Sequence, residues 1–259
     1  MSVLAGLQDV FVPAGLSPAI AVLLVVAAFF TSALTAAFGV GGGVALLGLM
    51  GFFMPVAALV PVHGIVQLGS NLGRAAVQIR HVNWPLVGVF FVGGLAGAAL
   101  GGRFVVTLPD LYLKVAIGLF ILWAVWGRKP GWAGAGLWSI GLGGAFSSFL
   151  TMFIGATGPF VAAVLKVRGL QKVELVATHG ACMVQQHGLK MIVFGLLGFA
   201  FGPWIGLTAA MIASGFAGTL SGTALLKRLP DEGFLTGFRW VMTAMAVFLI
   251  LNAVLKALE

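Results

Sequence analysis

The 259-residue chain reads as an all-α integral membrane protein of 8–10 helical segments, arranged as two inverted repeats of about five segments with short helices broken by glycine. Three observations predict that class. First, 61% of the residues are hydrophobic, 8% are charged and mean hydropathy is +1.14, whereas a soluble domain carries about 25% charged residues. Second, the apolar runs are continuous rather than alternating with period two, which fits spanning helices and not barrel strands. Third, the chain repeats its own punctuation at an offset of 116 residues.

Apolar runs between charged, proline or glycine punctuation place the segments. The first runs from about Pro18 to Phe38, and a shorter one from about Val44 to Val60 follows the glycine cluster of FGVGGG. The third is read from Pro61 to Ile79, the fourth from Pro85 to Val106 and the fifth from Leu111 to Trp126. After Gly127-Arg128-Lys129-Pro130 the pattern restarts: Gly134 to Ile154, a short run from Pro159 to Leu165, Val173 to Phe199, Trp204 to Leu226 and Phe234 to Leu255. About 20 apolar residues cross the hydrocarbon core, so the second and seventh segments fall short. The N-terminus lacks a basic n-region, so the first span is expected to be retained.

Gly39 matches Gly155, Gly42 matches Gly158, His63-Gly64 matches His179-Gly180, and Arg74 matches Lys190. Farther on, Leu108-Pro109-Asp110 matches Leu229-Pro230-Asp231. These matches predict a first repeat over residues 1–127 and a second over 128–259. An odd number of segments turns the second copy over in the membrane. Loop charge agrees: Arg80, Arg128, Arg168 and Arg228 fall on one side, taken as cytoplasmic, and the opposite loops carry no Lys or Arg. The net charge of +8 follows from that bias and calls for no nucleic acid. Cys182 is the only cysteine, which excludes an intrachain disulfide and a cysteine-rich metal site. There is no metal motif, phosphate-binding loop or nucleophile elbow, so no cofactor and no catalysis are expected.

Backbone broken inside a membrane must sit within protein or line a wet cavity. Gly41, Gly42, Gly43, Thr157 and Gly158 lie at the two breaks, where the amide ends of the following helices favour an anion. Close helix packing through small residues is the competing reading. In the third segment His63, Gln67, Ser70, Asn71 and Arg74 form one polar stripe at helical spacing. His179, Gln186, His187 and Lys190 repeat it, with Met183 in place of Gln67. An intramembrane cation costs roughly 2.5–3.5 kcal/mol or more unless it faces a cavity or a partner. Acids are absent from both stripes apart from Glu174 at one end, so Arg74 and Lys190 invite an anionic ligand. A snorkelling Arg74 is the alternative. Lys190, placed deeper, is expected to matter more. His63, His179 and His187 are candidates for carrying a proton.

The GVGGG break, the HGIVQLGSNLGRAAVQIRHVNW stretch and the GATGP and THG counterparts together resemble the TauE/SafE family of sulfite exporters over nearly the whole chain. The resemblance implies a secondary transporter of the bacterial inner membrane. Its cargo would be sulfite, organosulfonates or related small sulfur anions, exported by alternating access. An anion channel, or a permease for another small anion, is the runner-up. Besides that anion the expected partner is membrane lipid; the oligomeric state, a homodimer included, is left open.

Overall fold

The computed structural model describes residues 11–38, 41–105, 109–127, 136–166, 168–225 and 231–258. Among these the chain is helical, with no strand. The first half contains α1 (Pro18–Phe38), α2 (Gly42–Phe53), α3 (Val56–Val77), α4 (Trp84–Val105) and α5 (Asp110–Trp126). The second contains α6 (Trp138–Ile154), α7 (Gly158–Lys166), α8 (Lys172–Leu196), α9 (Ile205–Leu225) and α10 (Asp231–Leu258). The loops holding Arg128 and Arg228, and Gly39, lie outside the described residues.

The outer surface is apolar. On α1, Leu24 and Ala28 are fully buried while Val22 and Phe30 are more than 60% exposed. Water would not tolerate that surface repeated on α4, α8 and α10; lipid does. Among the described residues three helices are long and apolar enough to cross a membrane: Pro18–Ala36, Trp84–Val105 and Gly202–Gly222. Helices α3 and α8 have the length, at 22 and 25 residues, but their polar stripes dilute the apolar character. At 12 and 9 residues, α2 and α7 reach only ~18 and ~13 Å at 1.5 Å per residue, too short for a ~30 Å core.

The junction of the second and third helices differs most from its expectation: α2 ends at Phe53, not Val60. The third helix begins at Val56, not Pro61, and Pro61 lies inside it. Pro55 is the N-cap, with φ −64° and ψ 145°, an extended conformation that ends α2. Pro61 lies early in α3 and removes one amide bond there. Two prolines near one junction made the wrong one look like the break.

Helix pairing places the core. Helix α1 packs along α9, α4 along α6, α3 against α8 and α5 against α10. The first two crossings bring backbones together through glycine. A Cβ on Gly97 would lie 1.9 Å from the Ala145 carbonyl oxygen, and one on Gly218 would lie 2.0 Å from that of Phe29. Small residues allow this approach where lipid supplies no hydrophobic drive between helices. The pairing of α3 with α8 then lays the two polar stripes against each other at the centre.

Candidate functional site

The stripe on α3 is buried: His63 is 0% exposed, Asn71 3% and Arg74 5%. Arg74 stands in the last turn of α3, yet its burial excludes the snorkelling alternative. On α8, His179, Gln186, His187 and Lys190 are all 5% exposed or less. The starts of α2 and α7 reach the same place. Gly41, the N-cap of α2, has φ 108°, and no side chain caps the helix start. Glycine is needed there because other residues avoid that conformation.

These elements line a cavity of about 30 Å³, room for about two waters. Gly41, Gly43, His63, Gln67, Asn71 and Arg74 line it from the first half, and Gly158, His179 and His187 from the second. Thr35, Val44, Ala156, Pro159 and Met183 complete it.

Each of two histidines holds a short helix. His63 Nε2 donates to the Gly43 carbonyl at 2.8 Å, and His179 Nε2 donates to the Gly158 carbonyl at 3.1 Å. Asn71 Nδ2 donates to the Gln67 carbonyl at 2.7 Å, and its longer contact to Gln67 Oε1 is 3.5 Å. The rings of His63 and His187 meet edge to face with centroids 6.2 Å apart.

The two cations differ. Lys190 Nζ donates to the Gly155 carbonyl at 2.6 Å, and that oxygen also receives the Thr151 hydroxyl at 3.2 Å. Gly155 is the C-cap of α6, at φ 85°, so Lys190 places its charge on the negative end of that helix. Arg74 has no such tether: its Nε is buried without a hydrogen-bond partner. Among the described residues, no acid lines the cavity beside it. All six are accounted for by Asp110, Glu174, Asp231 and Glu232 at helix starts and Asp9 and Glu259 near the chain ends.

Four expected contacts fall elsewhere. Lys190 sits on a carbonyl and does not line the cavity. Gln186 donates to Ser147 Oγ at 2.9 Å and accepts from Thr157 Oγ1 at 2.8 Å, so both it and Thr157 belong to the wall behind the cavity. Gly42 faces α1: its Cβ would lie 1.7 Å from the Thr31 carbonyl oxygen, so it is a packing glycine. Sequence reasoning gave Thr35 and Thr151 no role, but Thr35 lines the cavity. It also missed the Gly155 carbonyl that satisfies Lys190. The shared 116-residue offset of Thr35 and Thr151 was the available signal.

A family model described as Sulfite exporter TauE/SafE matches residues 24–249 of the 259-residue chain. No curated protein and no solved structure matches it.

Proposed function

Because the chain belongs to the sulfite exporter TauE/SafE family, a membrane transporter family, we propose that it is a carrier that binds a small sulfur-containing anion in the central cavity and exports it by alternating access. The observation that carries this reading is Arg74: a buried guanidinium with an unpartnered Nε, lining a cavity at the uncapped start of α2. A guanidinium and free helix amides together recognise an oxyanion. The cavity has room for about two waters, which supports a reading in which the halves part to admit a multi-atom anion, as in a carrier.

Two inverted repeats, residues 1–127 and 128–259, supply the moving parts. Equivalent contacts support that division. Gly97 meets Ala145 and Gly101 meets Phe149, while Gly218 meets Phe29 and Gly222 meets Ala33. Ser32 and Ser70 share a hydrogen bond at 3.4 Å, and their counterparts Ser148 and Gln186 share one at 3.5 Å. Helices α1 and α6 end, and α2 and α7 begin, at the same 116-residue spacing. Loop charge puts Arg80 and Arg168 on the cytoplasmic side of a bacterial inner membrane.

The test is counterflow. Purified protein in liposomes should exchange labelled sulfite for unlabelled sulfite or short sulfonates, and saturate with concentration. A non-saturating conductance would favour the channel reading. Absence of both flux and binding for every small sulfur anion would remove the proposal.

A further inference from the structure

The cavity offers a hydrogen-bond acceptor as well as a cation. A carbonyl oxygen cannot donate, so the 2.8 Å contact from His63 to Gly43 puts a proton on Nε2. The neutral imidazole then presents Nδ1 as an acceptor only. That atom is buried and has no hydrogen-bond partner. The Gly155 carbonyl close to it is itself an acceptor, already taken by Lys190 and Thr151. Lys190 donates to Gly155 and, among the described residues, nothing donates to His63 Nδ1; the neighbouring His187 Nδ1 is also buried and unpartnered. His63 and Arg74 line the same cavity, one with an idle acceptor and the other with an idle donor.

Resting on the anion-carrier reading of this site, we infer that the preferred ligand is a monoanion bearing its own O–H or N–H donor, with oxygens for Arg74 and the donor for His63 Nδ1. Hydrogen sulfite and hydroxyl-substituted sulfonates have that chemistry. Fully ionised sulfate and plain alkyl sulfonates do not: they turn a lone pair or a methyl group toward Nδ1. A site built to hydrogen-bond a hydroxyl discriminates strongly against the analogue lacking it, because the buried partner is left unpaired.

Calorimetric binding to the purified full chain with pairs of equal charge tests this: ethanesulfonate against 2-hydroxyethanesulfonate, and methanesulfonate against hydroxymethanesulfonate. The hydroxylated member of each pair should bind about tenfold tighter or more. In His63→Phe that ratio should fall close to one, and a ratio measured on a single protein is insensitive to a lowered folded fraction. Equal affinities within both pairs in the native chain would overturn the inference while leaving the anion carrier standing. A ratio that survives in His63→Phe would overturn His63 as the acceptor. Failure of all four, and of sulfite, to bind would remove the carrier reading itself. If His63→Phe does not fold, the ratio in the native chain still decides.

Discussion

At the scale of single residues, exposed hydrogen-bonding capacity separates the two cations better than depth does. Lys190 is the more buried, but its ammonium is tethered to Gly155 at 2.6 Å and does not line the cavity. Arg74 is slightly less buried and keeps a free Nε at the cavity. Arg74→Gln should therefore weaken anion binding by roughly 10- to 150-fold, the value of one charge-assisted hydrogen bond at ~1.5–3 kcal/mol, with little loss of thermal stability. Lys190→Met should do the reverse. It leaves the Gly155 oxygen only its weaker Thr151 contact and removes the charge from the end of α6, so the melting temperature should drop while ligand affinity in the surviving fraction holds. Calorimetry and thermal unfolding in detergent, run on both variants, check this. Greater loss of affinity in Lys190→Met would restore the order expected from depth alone.

At the scale of elements, the two breaks share an outline but not the use of their glycines. A Cβ on Gly42 would lie 1.7 Å from a backbone oxygen of α1, which cannot move cheaply, whereas one on Gly158 would lie 3.7 Å from His179 Nε2, an ordinary contact. Gly42→Ala should thus abolish a monodisperse peak in size-exclusion chromatography, and Gly158→Ala should preserve it and keep binding. Two well-behaved variants would mean that α1 and α2 are less tightly joined than the geometry requires. The two breaks, the polar stripes and most helix limits were legible in sequence because each rests on a local signal: glycine clusters, period 3.6, charged loops. What was not legible depended on who faces whom. That Gly42 meets Thr31, that Lys190 meets Gly155 and that Gln186 meets Thr157 are facts of tertiary pairing. Both the ligand and the packing readings of those residues were open until the helices were set together.

For the whole molecule, the question is what drives the anion outward. The loop after α3 and the start of α8 are tied together: Asn83 Nδ2 donates to Glu174 Oε1 at 2.9 Å, and the Asn83 amide donates to Thr178 Oγ1 at 3.0 Å. Arg80 and Arg168 flank that tie in sequence, consistent with one cytoplasmic face. Cys182 is fully buried, so single cysteines introduced at Arg80 or Arg168 can be labelled against a silent background; neither should react from the cell exterior. An inside-negative potential then favours outward movement of each negative charge by ~2.3 kcal/mol per 100 mV, about 45-fold in concentration ratio. Among the described residues, those lining the cavity include no carboxylate to bind a coupling cation. Transport of a monoanion should therefore be electrogenic. In liposomes with a potassium gradient and an ionophore, an inside-positive potential of 100 mV should accumulate the labelled anion by up to about 45-fold per charge, and a reversed potential should expel it. Accumulation that ignores the potential and follows an imposed pH gradient would show the opposite: one proton accompanies each anion, and His63, His179 or His187 carries it.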